Sequence, residues 1–151
     1  MKVVVIGSGR FGATLAARLS AERHDVVVID IQAESFERYL PADFGGRTIL
    51  GDGIDEYVLR EAGLERADAV VAAMHGDNHN LMAAQIAKIR FGVQRVVARC
   101  NDPVRAEIYQ GLGLAIICPS QLGAAAMYEA IMNDAKQQKD VSAAIEQMLI
   151  R

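Results

Sequence analysis

Short apolar runs recur along the chain at intervals of twenty to twenty-six residues, and each has the length and composition of a buried β-strand. They occupy residues 3–6, 26–29, 48–50, 69–73, 95–98 and 115–118. The stretches between them are long enough for helical crossovers, which is typical of a parallel sheet covered on both faces. The spacing therefore predicts an α/β fold: a Rossmann-like, doubly wound parallel sheet of six strands in the order 3-2-1-4-5-6. The ligand crevice is expected between strands one and four.

Residues that cap and end helices predict the connections between these strands. The expected helices begin near residue 13 after the first strand, cover residues 56–62 and 77–91, start again at residue 103, and run from residue 120 to about 136. Asp55 and Asp102 are placed to cap two of them, and Pro103 suits a first helical position. Ser120 is expected to cap the last long helix.

The first apolar run leads directly into a glycine-rich turn followed by a helical stretch. Gly7, Gly9 and Gly12 have the spacing G-x-G-x-x-G. In such a unit Gly7 permits the tight turn, Gly9 lets a phosphate approach the backbone, and Gly12 lets helix and strand pack closely. Because the free N–H groups at the helix start then face an anion, the pattern predicts a phosphate-binding site.

A carboxylate follows at the position that binds the ribose of a nucleotide in such strand-turn-helix units. The second apolar run ends at Asp30, eighteen residues after Gly12, where a carboxylate can accept hydrogen bonds from ribose hydroxyls. Ile31 and Gln32 come next, and the absence of an adjacent arginine favours an adenosine ribose without a 2′-phosphate. The alternative is that Asp30 is a solvated strand end or a helix cap.

Composition narrows the class of protein. The 151 residues are 52% apolar and 23% charged, which is typical of one globular domain and not of a disordered or coiled-coil chain. The net charge of −3 gives no basic field for nucleic acid, and no apolar run approaches the length of a membrane span. Since residues 3–6 are also too short for a signal peptide, we expect a soluble, cytoplasmic protein. Cys100 and Cys118 are expected to be reduced and part-buried, with a redox role as the alternative.

The end of the chain carries more apolar surface than the sheet requires. Residues 121–136 form one apolar helical stripe, and a second stripe lies at residues 141–149. Because no seventh strand follows, a partner surface is one interpretation, and packing of both stripes within the chain is the other.

Several motifs occur together in this chain: G-S-G-R-F-G at residues 7–12, G-D-G at 51–53, A-R-C-N-D at 98–102 and L-G-L-A-I-I-C-P at 112–119. With Asp30 and the Asp77-x-x-Asn80 opening of the fourth helix, they resemble the RCK N-terminal domain, also called TrkA-N, of TrkA and KtrA proteins. The resemblance covers about residues 1–134. Residues 135–151 are left as a helical tail, without a complete C-terminal RCK domain.

The resemblance implies a cytoplasmic regulatory subunit of a potassium channel or transporter, peripheral to the inner face of the membrane through that partner. It implies an adenine nucleotide (NAD or NADH, ADP or ATP) that changes the conformation of a homodimer or a ring of dimers. Neither nucleic acid nor a catalytic residue is expected. The site residues that it implies are Gly7, Gly9, Arg10, Phe11, Gly12, Asp30, Ile31, Gly51, Asp52, Ala73 and Arg99.

Three of these residues have roles that the resemblance implies and alternatives that the residues leave open. Arg10 would contact a terminal phosphate, or else be a solvated residue of the first helical turn. Asp52 would lie near the adenine, or else only brace its G-D-G turn. Arg99 would face the phosphates or the distal ribose, or else pair with a carboxylate such as Asp102.

Other functions fit the sequence less well. His75 and His79 flank Asp77, but no fourth ligand is spaced to join them, so a metal site is not expected. An NAD-dependent oxidoreductase needs a proton donor, often from a Tyr-x-x-x-Lys pair, and none of the four tyrosines has a lysine four places later. A structural assembly domain that its nucleotide only stabilises is the third alternative.

Overall fold

The computed structural model describes residues 1–132, 143 and 146. The strands are β1 (Lys2–Ile6), β2 (Asp25–Asp30), β3 (Arg47–Leu50), β4 (Ala69–Ala72), β5 (Arg95–Arg99) and β6 (Ala115–Ile117). The α-helices are α1 (Arg10–Ala21), α2 (Ala33–Tyr39), α3 (Glu56–Glu61), α4 (Asp77–Gln85), α5 (Pro103–Gly111) and α6 (Pro119–Met132). A 3-10 helix covers Leu64–Arg66, and a π-helix at Ile86–Arg90 continues α4.

The six strands are parallel and lie in the order β3-β2-β1-β4-β5-β6, which confirms the predicted Rossmann-like sheet. The strand order reverses at β1, where Val4 lies opposite both Val27 of β2 and Val70 of β4. Parallel neighbours need crossover connections, and helices on both faces provide them. The carboxyl ends of β1 and β4 therefore border a crevice at the switch point.

Residues of β1 alternate between two apolar cores. Val4 and Ile6 are buried in the larger core, together with residues of α3, α4 and α5. Val3 and Val5 are buried in the smaller core, which contains Ala16 of α1. Because both faces of the central strands are covered, consecutive positions of β1 are apolar. This packing fixes the end of β1, and with it the position of the glycine-rich turn.

Helix starts follow the predicted caps with one exception. The carboxylates of Asp55 and Asp102 accept backbone N–H hydrogen bonds at 2.8 and 2.9 Å and cap α3 and α5. The prediction that Ser120 caps the last helix is wrong, because α6 already begins at Pro119. A proline has the φ angle of a first helical residue and no N–H to satisfy there.

The described residues of α6 are mostly exposed. No residue of α6 is buried, and Leu122 and Ile131 are 61% and 79% exposed. The predicted boundary at residue 134 and, apart from residues 143 and 146, the tail at 135–151 with its apolar stripe at 141–149 lie outside the described residues. Within the residues that the structure describes, no helix has the length and apolar character needed to cross a bilayer.

Candidate functional site

A cavity of about 1430 Å³ opens at the carboxyl ends of the strands, at the switch point between β1 and β4. Its wall consists of the strand ends, the turn after β1, and residues of α1 and α2. All but one of the predicted site residues line it: Gly7, Gly9, Arg10, Phe11, Asp30, Ile31, Gly51, Asp52, Ala73 and Arg99. The exception is Gly12, which packs beneath the turn.

Two positions, one in the turn after β1 and one in the first turn of α1, tolerate only glycine. Gly7 has a φ of +105°, and a Cβ there would lie 2.6 Å from the backbone nitrogen of Met74. The N–H of Gly7 donates to the Ile29 carbonyl oxygen at 2.7 Å, which ties the turn to β2. At Gly12 a Cβ would collide with the carbonyl oxygen of Gly7, so α1 can approach β1 only without a side chain there.

The amino end of α1 faces the cavity without a capping side chain. Gly9 is its N-cap residue, no side chain makes a capping hydrogen bond there, and the first turn contains no acidic residue. A Cβ built on Gly9 has no atom within 4 Å, so the space beside this backbone is open. The partial positive charge of the helix end is therefore available to an anion.

Asp30 is held at the end of β2 by two backbone groups. Its Oδ2 accepts from the N–H of Ser8 at 2.7 Å, and its Oδ1 accepts from the N–H of Gln32 at 2.9 Å. A carboxylate has further acceptor capacity, so these bonds orient the group and leave lone pairs for hydroxyl donors. Beside it, the hydroxyl of Ser8 is buried and has no hydrogen-bond partner among the described residues.

Asp52 braces its own turn while lining the cavity. Its Oδ1 accepts from the N–H of Ile54 at 3.1 Å, and its carbonyl oxygen accepts from the N–H of Asp55 at 3.1 Å. The preceding residue, Gly51, donates its N–H to the Asp30 carbonyl oxygen at 2.9 Å. The bracing role that the sequence left open is therefore present in the structure, and it places the Asp52 side chain at the cavity wall.

Arg99 reaches the cavity from the end of β5, and its guanidinium is anchored. Its Nη2 donates to the carbonyl oxygens of Met74 at 2.9 Å and His75 at 3.2 Å, and Cζ lies 5.9 Å from the centre of the Phe11 ring. Its buried Nε has no hydrogen-bond partner in the described part of the chain. The alternative of a pair with Asp102 is wrong, because Asp102 pairs with Arg105 at 3.5 Å.

The loops after β4 and β5 are joined by two polar side chains whose role the sequence did not reveal. Asn80 is fully buried; its Oδ1 accepts from the N–H of Met74 at 2.7 Å, and its Nδ2 donates to the carbonyl oxygens of Met74 at 2.9 Å and Arg99 at 3.0 Å. Asp77 accepts from the N–H groups of Asn101 at 2.9 Å and Asp102 at 3.0 Å. The Asp77-x-x-Asn80 spacing at the start of α4 was a signal of the resemblance, but it did not indicate these contacts.

The environment of Asp77 shifts two pKa values in opposite directions. Partial burial acts to raise the pKa of Asp77, but the backbone donors at Asn101 and Asp102 outweigh it and lower the pKa. Burial raises the pKa of the nearby Cys100 thiol, and the negative charge of Asp77 raises it further. Cys100 and Cys118 are both buried and form no disulfide.

We expect the lowered pKa of Asp77 to make stability depend on pH. A carboxyl whose pKa is lower in the folded state stabilises the fold above its unfolded pKa of about 3.9, and this contribution is lost as pH falls through the folded pKa. Asp77→Asn should therefore lower the free energy of unfolding by roughly 1–2 kcal/mol at pH 7, with a smaller difference at pH 3.5. Urea unfolding at both pH values measures it. Asp43→Asn, at an exposed position, is the control, and an Asp77→Asn effect that does not change with pH would contradict the expectation.

His75 and His79 lie near Asp77, the arrangement that the sequence raised as a possible metal site. Among the described residues, no group of three or more His, Cys, Asp or Glu side chains is arranged to hold a metal ion. His75 and His79 instead lie at the cavity wall on the side of β4. Of the described residues, the charged side chains that line the cavity are two carboxylates, Asp30 and Asp52, and three arginines, Arg10, Arg18 and Arg99.

Sequence comparison identifies relatives of this chain. The Trk system potassium uptake protein TrkA of Streptomyces coelicolor is 48% identical over 117 residues, which are 78% of this chain and 52% of that protein. The chain thus spans about half of that relative's length. Two solved structures share the fold: the Kef CTD of Shewanella denitrificans in its AMP-bound form, and GsuK bound to ADP.

The Kef CTD has a TM-score of 0.73 at 21% identity and covers 98% of this chain and 92% of its own. GsuK has a TM-score of 0.73 at 23% identity and covers 87% of this chain and 34% of its own. At these identities the two structures support the fold alone. The TrkA-N domain matches residues 3–119, from the first buried strand to the start of α6, and the chain therefore belongs to the TrkA-N domain family.

Proposed function

We propose that this chain is the nucleotide-binding part of a cytoplasmic regulatory subunit of a potassium uptake channel or transporter. Membership of the TrkA-N family supports this, as does the 48% identity to a protein named Trk system potassium uptake protein TrkA. The subunit would lie at the inner face of the membrane through its transport partner and would carry out no catalytic step.

The main support for an adenine nucleotide as the ligand is the arrangement of three features around the cavity. An uncapped helix end, an open space beside Gly9 and an oriented carboxylate at Asp30 lie around one cavity. Phosphates would bind the backbone of the glycine turn, with Arg10, Phe11 and Arg99 beside them. The adenosine ribose would donate to Asp30 near Ile31, and the adenine would lie near Gly51 and Asp52, with Ala73 on the side of β4.

The polar atoms of the cavity wall fit such a ligand. The Nε of Arg99 is buried without a partner among the described residues, and phosphate oxygens are acceptors that could satisfy an arginine. The unpaired Ser8 hydroxyl lies in the turn that would hold the phosphates. The structures of the Kef CTD with AMP and GsuK with ADP are consistent with this ligand class. A cavity of about 1430 Å³ has room for either a mononucleotide or NAD.

Regulation would require an oligomer that the nucleotide can bias. Apolar side chains at Val104, Ile108 and Leu112 follow one face of α5 and the residue after it, and they are 67%, 56% and 72% exposed. The exposed α6 carries further apolar side chains. Exposed apolar surface of this kind supports a homodimer or a ring of dimers. A nucleotide then shifts the assembly by the difference between its affinities for two arrangements.

Calorimetric titration of the nucleotide-stripped protein with AMP, ADP, ATP, NAD and NADH tests the proposal, with light scattering on the same samples. We expect saturable binding of at least one nucleotide together with a change in mass or shape. Binding without any change would favour a structural assembly domain that its nucleotide only stabilises. If none of the five binds, the nucleotide site is wrong.

A further inference from the structure

Three of the described arginines line the cavity, and Arg18 pairs with Glu22 at 3.2 Å. The two arginines predicted as site residues, Arg10 and Arg99, are held in different ways. Two backbone carbonyl oxygens and the Phe11 ring fix the guanidinium of Arg99. Arg10 makes no side-chain hydrogen bond or ion pair within the described part of the chain. Its guanidinium lies instead over the ring of Tyr39, with Cζ 5.7 Å from the ring centre. Of these two arginines, Arg10 is therefore the one whose side chain can move at small cost in free energy.

The ring that contacts Arg10 belongs to Tyr39 of α2. Tyr39 is the last residue of this helix, and both side chains line the same cavity. Arg38 also approaches this ring, with Cζ 5.5 Å from its centre. Two like charges at one ring repel each other, so part of the attraction between Arg10 and the ring is offset. The contact is strong enough to set a preferred position and weak enough for a phosphate to compete with it.

The position of Tyr39 determines where Arg10 points. Asp30 and α2 follow β2, the glycine turn follows β1, and Arg99 ends β5. Because β1 lies between β2 and β4, a nucleotide with its ribose at Asp30 and its first phosphate at the turn extends toward β4 and β5. Its later phosphates would lie on that side. The contact with Tyr39 keeps the Arg10 guanidinium on the side of α2.

We infer that Tyr39 is a positioning residue that restrains Arg10 and thereby lowers the preference of the site for nucleotides with a terminal polyphosphate. This inference rests on the proposed function, since it assumes that Arg10 contacts a phosphate. AMP, which lacks the β- and γ-phosphates, does not require Arg10 to leave the ring. ATP gains the Arg10 contact only after the guanidinium has left Tyr39, so the ring contact opposes ATP binding and not AMP binding.

The ratio of the ATP affinity to the AMP affinity tests the inference. Tyr39→Leu, which removes the ring, should raise this ratio by roughly two- to fivefold, the strength of an exposed cation–π contact. Tyr39→Phe keeps the ring face and should keep the ratio of the unchanged chain. In an Arg10→Gln background, Tyr39→Leu should no longer change the ratio. Calorimetric titration at a fixed magnesium and salt concentration measures all five proteins: the unchanged chain, the two Tyr39 variants, Arg10→Gln, and Arg10→Gln combined with Tyr39→Leu.

Each outcome of these titrations either supports or overturns the inference about Tyr39. An unchanged ratio in Tyr39→Leu overturns the inference, and so does an equal increase with and without Arg10. A merely structural role of Tyr39 would alter both affinities by the same factor and leave the ratio constant. Tyr39→Gln repeats the measurement should Tyr39→Leu be too unstable to titrate. If AMP and ATP bind the unchanged chain but neither Tyr39→Leu nor Tyr39→Gln shifts the ratio, the proposed function stands and only this inference is overturned.

Discussion

Replacing Gly9 with valine is expected to weaken nucleotide binding about a hundredfold or more and to change the free energy of unfolding by no more than about 1 kcal/mol. A Cβ at this position has no atom within 4 Å, and the φ of −73° and ψ of −178° suit a β-branched residue. The side chain would occupy the open space beside the amino end of α1, where a phosphate must approach the backbone. Titration with ADP measures binding, and urea unfolding measures stability.

Gly12→Ala is the control, because adding a side chain to this second glycine should lower the stability of the fold. A Cβ at Gly12 would collide with the Gly7 carbonyl oxygen and lie 3.1 Å from its carbon, so α1 would have to shift away from β1. Such overpacking should lower the free energy of unfolding by roughly 2–3 kcal/mol. Wild-type affinity in Gly9→Val would contradict the phosphate position. A loss of stability in Gly9→Val as large as in Gly12→Ala would contradict the open space.

The positions of the strands could be predicted because their determinants are local, and their order follows the general pattern of doubly wound sheets. Buried parallel strands are apolar at consecutive positions, and crossovers leave a fixed minimum of residues between them. Every strand end accordingly lies within one residue of its prediction. The π-helix at Ile86–Arg90 could not be predicted, because the apolar spacing and the stop at Gly92 fit an α-helix equally well. The start of α6 at Pro119 was missed because Ser120 was taken as the cap, although a proline also suits a first helical position.

The site was predictable where a single segment builds it. The glycine turn and Asp30 have fixed spacings within one strand-turn-helix-strand unit, and the structure brings them to one cavity. Contacts between distant segments were not predictable. Neither the anchoring of Arg99 by the loop after β4 nor the contact of Arg10 with Tyr39 leaves a periodic signal in the sequence. The resemblance named the residues of the cavity, and the structure alone gave the partners that hold them.

Asp30→Ala is expected to weaken AMP, ADP, ATP and NAD by a similar factor of about ten to a hundred. All four carry the same adenosine ribose, and the loss of hydrogen bonds to an ionised carboxylate is worth roughly 1.5–3 kcal/mol. A carboxylate that read the phosphates would instead affect ATP and AMP differently. Titration of the variant with all four nucleotides gives the four factors directly. Affinities equal to those of the unchanged chain would contradict the ribose assignment.

The structural role of Asp30 must be separated from contact with the ribose, because its carboxylate also accepts from the N–H groups of Ser8 and Gln32. A 2′,3′-dideoxy analogue of ATP makes this separation, since it has the phosphates but no ribose hydroxyls. If Asp30 binds the ribose, the analogue should bind the unchanged chain and Asp30→Ala with nearly equal affinity, while ATP should distinguish them. If Asp30 acts only by holding the turn, Asp30→Ala should weaken the analogue as much as ATP. Asp30→Asn, which keeps one acceptor oxygen for the turn, should fall between the two for ATP.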